Sequence, residues 1–363
     1  MKVKASSFDY TNWNVNLFKP GKLFWKPNFL RKLKIGQWKK IKIQVPCRFD
    51  PIVLDLTKLH PTVEKNDYKA GALGFTGKIY TQAEIELIDN KKIIADDILA
   101  EHVAKIIRTV TKYNGGFKIK TKNHPYRHVG FASTATICEA VANGINILLG
   151  EPFNKKEIVK FIAHNYGEES EKKKDYLTPG ISTGSSGNLV QRGGIGITTS
   201  DCELIIWDTY PKGTKIIAGI PNVPGVGKGP ETSDVDVFSL DWVRHIDRFN
   251  AAKICYWLLM DFAPALKQHD LKKMGAILYD ISFCGTKGAP LIALHGGDLL
   301  GIILEMRLSG IEVCFMSSAG PGLIAMTKNK VDKAIEIFNK HKCKTIEIEP
   351  DNEGFKYQFL KIR

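Results

Sequence analysis

Small residues fill almost every position from Gly130 to Thr136, immediately before an apolar pattern of helical spacing. That pattern predicts a helix over 133–149 with one apolar face, made by Ile137, Val141, Ile145 and Leu148. Small residues let a backbone approach a ligand closely, and the free amides and dipole of a helix's first turn attract anions. The segment therefore predicts either a phosphate site or an ordinary capped turn, with these candidate binding residues: Gly130, Ala132, Ser133, Thr134 and Ala135.

Other loops could contribute to the same site. Three basic side chains that would add cationic donors precede the segment: His124, Arg127 and His128. The stretch 180–187 is either a flexible linker or a second small-residue loop, and it leads to Arg192, Gly193 and Gly194, where the backbone could hold an anion beside a cation. Between two apolar strands, Ser317, Ser318 and Gly320 could bind phosphate or simply form a turn. The loop 221–231 supplies Lys228 and Glu231.

The composition agrees with an anionic ligand. The chain has 363 residues, and its 52 lysines and arginines against 38 acidic residues give a net charge of +14. Such a charge attracts phosphorylated metabolites, nucleotides or nucleic acid. No stretch approaches the roughly 20 apolar residues of a membrane span, so we expect a cytoplasmic protein that does not contact membranes. Seven cysteines without a C-x-x-C pair predict reduced thiols.

The periodicities predict a mixed α+β fold. Alternation over 40–45 predicts a strand that ends at Pro46, and the segments 81–87 and 91–94 are typical of a hairpin around Asp89-Asn90. A helix is expected to begin at Asp96 or Asp97. The charge run 168–175 is typical of a solvated loop or helix face.

The first 45 residues are basic and aromatic, with tryptophans and phenylalanines interleaved among lysines. They are either a platform for nucleic acid or an edge segment whose aromatic side chains pack down while its lysines stay in water. Near 210–213 the composition changes, and we predict a domain boundary there. No P-loop, dinucleotide-binding or metalloprotease motif occurs in the chain.

The order of these segments resembles the GHMP kinase superfamily, in which 130–135 matches the phosphate loop and 317–322 the third motif. The likeness is strongest to the family of β-ribofuranosylaminobenzene 5′-phosphate synthases. Five stretches carry it: 48–56, 70–75, 184–194, 264–281 and 317–321. The chain departs from the pattern at Ala132 and Thr134, where the kinases prefer glycine and serine, and at Ala319, where the synthases have tryptophan.

The resemblance implies a two-domain α+β fold of the GHMP kinase type. After a basic N-terminal extension, 1–45, it implies a ribosomal-protein-S5-like domain over 46–210 that holds the phosphate loop. A ferredoxin-like domain would follow over 211–363. It further implies a homodimer that has no nucleic acid as its partner.

The resemblance also implies a reaction. The synthases condense phosphoribosyl pyrophosphate with 4-aminobenzoate or 4-hydroxybenzoate in archaeal methanopterin-type pterin biosynthesis, and they release pyrophosphate and carbon dioxide. In this chain Arg48 would pair with the aromatic carboxylate, while Asp55 and Glu231 would be the catalytic carboxylates that hold Mg²⁺. The small-residue loops and Arg192 would hold the phosphates of the phosphorylated small-molecule substrate.

Two other functions stay open. The same loops could hold ATP in a small-molecule kinase, with an acidic residue or a lysine that activates a substrate hydroxyl. A non-catalytic protein that binds RNA or another anion through its basic N-terminal segment is the third possibility, and its binding would weaken steeply with salt.

Overall fold

The computed structural model describes residues 17–54, 70–170, 173–180, 182–223, 249–284, 287, 298–318 and 320–361. The chain first forms β1 (Lys40–Val53), β2 (Ala72–Ile88), β3 (Ile93–Ala95), α1 (Ile98–Thr111), β4 (Gly116–Lys122), α2 (Ser133–Leu148), α3 (Lys155–His164), β5 (Gly167–Glu169), β6 (Leu177–Pro179), α4 (Ser185–Arg192), β7 (Ile195–Thr198) and β8 (Leu204–Asp208).

The later elements are β9 (Lys215–Ile220), α5 (residues 249–267), α6 (Leu271–Ser282), α7 (Asp298–Leu308), β10 (Val313–Met316), β11 (Leu323–Thr327), α8 (Val331–Lys340), β12 (Lys344–Ile348) and β13 (Lys356–Phe359). Helix α5 is π-helical over Trp257–Phe262 and ends with the α-helical turn Ala263–Lys267. Among the described residues, no helix has the length and apolar run needed to cross a bilayer.

The first sheet has the strand order β13-β1-β2-β4-β3, with β7 and β8 added beside the beginning of β2. Strand β2 is long enough to have two partners on that side, since residues 72–75 pair with β7 and residues 82–88 pair with β4. Along β1 the side chains of Ile41, Ile43 and Val45 are buried, and the residues that alternate with them, Lys42 and Gln44, are half-buried. This apolar face packs against helices α1, α2 and α3.

The second sheet has the order β10-β11-β9-β12, and all of its pairs are antiparallel. Its strands alternate between two cores, as the two-residue period of a strand requires. Ile217, Cys314 and Ala325 face helices α7 and α8. Phe315 and Ile324 face the opposite core, which contains α5, α6 and also side chains of the first sheet. The two sheets therefore share a core.

Several predictions are confirmed. The fold is mixed α+β, α1 begins after its cap Asp97, and α2 begins at Ser133. The Asp97 carboxylate accepts hydrogen bonds from the amides of Leu99 and Ala100, which satisfies two donors of the first turn.

Other predictions are wrong. Strand β1 does not end at Pro46 but continues to Val53, because it stays paired with β2 as far as the Val53–Ala72 pair. The pairing with β13 has already ended at Gln44, and a bulge follows Pro46. A proline has no amide to donate, so it is tolerated where a strand has lost one neighbour. The predicted hairpin over 81–94 is absent, since β3 pairs in parallel with β4 instead of with β2.

Two segments that were expected to be irregular contain regular structure. The glycine- and serine-rich stretch forms helix α4, whose residues Ser185, Ser186 and Gly187 are buried. The charge run begins within strand β5, where Glu168 and Glu169 are half-buried. In the basic N-terminal segment, Phe18 is buried, as the packed-edge interpretation predicts.

Candidate active site

Two of the predicted small-residue loops are in direct contact. The Ser317 hydroxyl donates to the carbonyl of Gly130 at 2.5 Å, and the amide of Gly322 donates to the carbonyl of Val129 at 3.2 Å. Gly130 has φ +89°, and a Cβ there would overlap the carbonyl oxygen of Ser317. The amide of Gly320 donates to the Ser317 carbonyl at 2.9 Å, which folds the second loop back on itself. The loop 130–135 and the described residues 317, 318 and 320–322 of the second loop therefore form one surface.

Helix α2 begins at this surface. Ala132 precedes it with φ +58°, and no side chain caps the first turn. The left-handed conformation is unfavourable for alanine, whereas glycine adopts it readily. The Ser133 hydroxyl accepts from the amide of His128 at 3.4 Å. The start of α2 thus presents the positive end of a 16-residue helix without a capping carboxylate or hydroxyl at residue 132.

The carboxylate of Glu169, a residue of β5, lies at the start of α2. Glu169, on β5, accepts a hydrogen bond from the Thr134 hydroxyl at 3.3 Å. Its other oxygen lies 2.5 Å from Arg127, whose side chain is half exposed. The sequence pattern did not reveal Glu169, because it lay in a charge run that was interpreted as a solvated face.

Thr134 and Glu169 are suitable ligands for Mg²⁺. This ion prefers oxygen donors and is commonly held by one or two carboxylates together with the phosphate oxygens of a substrate. Among the described residues no cluster of three or more His, Cys, Asp or Glu side chains could hold a metal ion. A carboxylate beside a hydroxyl at a helix start therefore fits an ion that arrives with a phosphate.

A buried ion pair lies on β1 beneath the second loop. Arg48 contacts the Asp50 carboxylate at 2.6 Å, and its Nε donates to the Ser186 hydroxyl at the start of α4 at 2.7 Å. The amide of Asp50 donates to Ser317 Oγ at 3.0 Å, which joins the pair to the Gly130 surface. Within the described part of the chain, the remaining Asp50 oxygen and the Ser185 hydroxyl are buried without a hydrogen-bond partner. The predicted catalytic residue Arg48 is therefore beside the loops, with an acidic partner that the sequence analysis missed.

Lys287 brings a second cation to this cluster. Its ammonium group donates to the Ser318 carbonyl at 2.6 Å and to the Asp50 carbonyl at 3.2 Å. The side chain is almost fully buried. The lysine therefore holds β1 and the second loop together, a role that the sequence did not indicate.

The Arg192-Gly193-Gly194 cluster lies elsewhere. These residues end α4, whereas Arg48 contacts the start of that helix. The Gly194 amide donates to the Asp351 carbonyl at 2.6 Å, and the Arg192 guanidinium lies 5.8 Å from the Trp207 ring. Helix α4 spans about 12 Å at 1.5 Å per residue, so this cluster and the Ser186 contact of Arg48 lie at opposite ends of it, and the phosphate-binding role expected for these three residues stays a prediction.

Burial sets the charge of two groups near the site. His124 is buried and its Nε2 lies 3.3 Å from the Phe131 carbonyl. Burial lowers the pKa of His124 to about 4, so it is neutral at pH 7 and is not the cationic donor we expected. On α2, burial raises the pKa of Glu139 to about 8, and this carboxyl is protonated at neutral pH.

Three of the predicted residues cannot be placed. Asp55 and Glu231, the expected metal ligands, and Lys228 lie outside the described residues.

Comparison with known proteins agrees with the resemblance proposed for the phosphate loop at 130–135. Residues 99–175 match the family model described as the GHMP kinases N terminal domain, a range that includes α2 and Glu169. No curated protein matches the sequence significantly.

Solved structures extend the likeness to most of the chain. Homoserine kinase from Cytophaga hutchinsonii has a TM-score of 0.63 at 15% identity, covering 90% of this chain and 100% of that one. Mevalonate diphosphate decarboxylase from Staphylococcus aureus has a TM-score of 0.60 at 13% identity, covering 88% and 98%. A structure of MDDEF in complex with MVAPP, AMPPCP and magnesium has a TM-score of 0.55 at 16% identity, covering 89% and 99%. The chain has the GHMP kinase fold.

Proposed function

We propose that this protein is an enzyme that binds a phosphorylated small molecule, together with Mg²⁺, at the start of α2. The observation that carries the proposal is the placement of Thr134 and Glu169 at a helix start that no side chain caps. Phosphate oxygens would accept from the amides of the first turn, and the ion would lie between them and Glu169. When bound, the ion neutralises phosphate charge.

The reaction we propose first is the decarboxylating phosphoribosyl transfer of the synthase family. Pyrophosphate leaves the ribose carbon, the ring carbon that bears the carboxylate attacks it, and loss of carbon dioxide restores aromaticity. The described side chains of the buried cluster support an acidic acceptor. The Arg48 guanidinium, joined to the Gly130 surface through Asp50 and Ser317, would pair with the carboxylate of an aromatic acceptor. Placement of the two substrates would supply much of the acceleration.

A second candidate is ATP-dependent phosphoryl transfer to a hydroxyl, and one observation favours it. One oxygen of Asp50 is buried and has no hydrogen-bond partner among the described residues. A carboxylate in that state could accept a proton from a substrate hydroxyl. The phosphates of ATP would then occupy the start of α2.

The two reactions are distinguished by their products. Purified protein with Mg²⁺ is incubated with phosphoribosyl pyrophosphate and carboxyl-labelled 4-aminobenzoate or 4-hydroxybenzoate, and in parallel with ATP and a panel of alcohols. Labelled carbon dioxide supports the synthase reaction, whereas ADP formed only with one alcohol supports the kinase. If neither labelled carbon dioxide nor ADP is formed, both proposed reactions are contradicted.

Replacing Glu169 tests the shared phosphate site. We expect Glu169→Gln to weaken Mg²⁺-dependent binding of pyrophosphate by about 10- to 100-fold, because the ion loses its protein carboxylate. The matched control is Glu168→Gln, which removes the adjacent carboxylate of the same strand. Calorimetric titration measures both variants. Equal affinities in the wild type and Glu169→Gln would reject this site.

A further inference from the structure

The basic N-terminal segment is attached to the hairpin that carries Glu169. The amide of Phe18 donates to the Leu177 carbonyl at 2.8 Å, and the amide of Leu177 donates back to the Phe18 carbonyl at 2.8 Å. Leu177 is the residue of β6 that lies opposite Glu169 of β5. Phe18 therefore adds a third strand-like element to a hairpin of two three-residue strands.

The Phe18 ring reinforces this attachment. It is 3% exposed, and its edge packs on Gly167, where a Cβ would come within 2.7 Å of the ring. His102 of α1 and Phe24 contact the same ring in edge-on geometry, at centroid distances of 5.4 and 5.0 Å. Isolated two-stranded hairpins are marginally stable, so the geometry of this one depends on what packs against it.

The same segment has a second anchor that is independent of the hairpin. The side chain of Asn165 accepts from the amides of Phe24 and Trp25 and donates to the Trp25 carbonyl. The Trp25 ring stacks on His164 of α3 at 5.1 Å. Trp25 thus provides a comparison: it fixes the segment to α3 without bridging to β6.

We propose that Phe18 is a positioning residue for the Mg²⁺–phosphate site, acting through the place of Glu169 beside Thr134. This inference rests on the proposed function. It assigns to the N-terminal segment the task of holding β5 against the start of α2, so that the carboxylate stays within reach of an ion bound there. Three contacts carry it: the Phe18–Leu177 bridge, the ring on Gly167, and the Thr134–Glu169 hydrogen bond.

The test is a double-mutant cycle in the full chain. Pyrophosphate is titrated by calorimetry into the wild type, Phe18→Ala, Glu169→Gln and the double variant, each with Mg²⁺ and with a chelator instead. We expect Phe18→Ala to weaken binding about 10-fold with Mg²⁺ and to leave the metal-free affinity unchanged. In the Glu169→Gln background the same substitution should change nothing, because the group it positions is gone.

Trp25→Ala is the control for a merely structural effect. Phe18→Leu restores much of the volume of the ring, and we expect this variant to recover most of the Mg²⁺-dependent affinity. The inference is overturned if Phe18→Ala weakens binding equally with and without Mg²⁺, if it stays additive with Glu169→Gln, or if Trp25→Ala has the same effect. A wild type that binds no pyrophosphate overturns the proposed function and this inference with it. Hydrogen exchange of the 167–169 amides, faster in Phe18→Ala than in Trp25→Ala, would then still report the attachment of the segment.

Discussion

Glu139 is the residue whose charge depends most clearly on the fold. It lies on α2 and faces α4, where a Cβ on Gly187 would come within 2.8 Å of its Oε1. Asn143 donates to its other oxygen at 3.3 Å. Burial raises its pKa from 4.5 to about 8, whereas the unfolded chain leaves the carboxyl in water. The folded state therefore holds a proton that the unfolded state has lost between those pH values.

Stability should fall as pH rises through that window. Between pH 4.5 and pH 8 the folded chain binds one more proton at Glu139, so this group lowers the free energy of unfolding by about 1.4 kcal/mol per pH unit. We expect Glu139→Gln, which stays neutral, to remove that slope and to become the more stable protein at pH 8. Urea unfolding at pH 5, 6.5 and 8 measures the free energy of unfolding of both proteins. If this free energy changes with pH in the same way in both, the folded state does not raise the pKa of Glu139, and the prediction is wrong.

Residue types and spacing predicted one half of the candidate site and not the other. The loops at 130–135 and 317–322 are recognisable because small residues are needed wherever backbone meets backbone. Glu169 and Asp50 gave no such signal, since their roles depend on partners distant in sequence. Thr134 is 35 residues from Glu169, and Ser317 is 267 residues from Asp50. A carboxylate becomes part of a site through contacts that only the folded chain creates.

At the scale of elements, the contact between the two small-residue loops depends on Gly130. Gly130→Ala would place a Cβ against the Ser317 carbonyl and also force a left-handed alanine. We expect a loss of about 2–4 kcal/mol in the free energy of unfolding. Gly213 is the matched control, because its φ is also positive, +82°, but nothing lies within 4 Å of its Cβ position.

Gly213→Ala should cost only about 1 kcal/mol, the conformational part alone. Chemical denaturation of both variants separates the two contributions. Equal losses in the two variants would mean that the loops can move apart without cost, and that their contact does not hold the site together.

Elements with strong local signals were predictable, and elements decided by packing were not. Helix α1 has a cap at Asp97 and a regular apolar pattern, so its start was found within a residue. Helix α4 contains glycine and serine, which favour loops, and it forms because Leu189 and Val190 are fully buried. The predicted hairpin failed for a similar reason: β4 lies between β2 and β3, and no local pattern specifies that order.

At the scale of the whole molecule, the two sheets are joined by more than the connection near 210–213. Phe75 of the first sheet lies 5.5 Å from Phe315 of the second, between ring centroids, and both rings are buried in one shared core. The last strand, β13, returns to pair with β1 at residues 41–44. The composition change near 210–213 would therefore mark the passage of the chain from the first sheet to the second. The two sheets would fold and unfold together, because the same core stabilises both.

We expect a fragment of residues 1–213 to lack a cooperative unfolding transition. It would expose Phe49, Phe75 and Phe131, which the second sheet and its helices cover in the full chain. Each exposed aromatic side chain costs about 1.5–3 kcal/mol, and the total is comparable with the roughly 5–15 kcal/mol that stabilises a typical domain. The fragment also lacks β13, so β1 becomes an open edge. Urea titration followed by circular dichroism is the measurement, with the full chain as reference. A fragment that unfolds cooperatively near the full chain's midpoint would show that the first sheet is an independent domain.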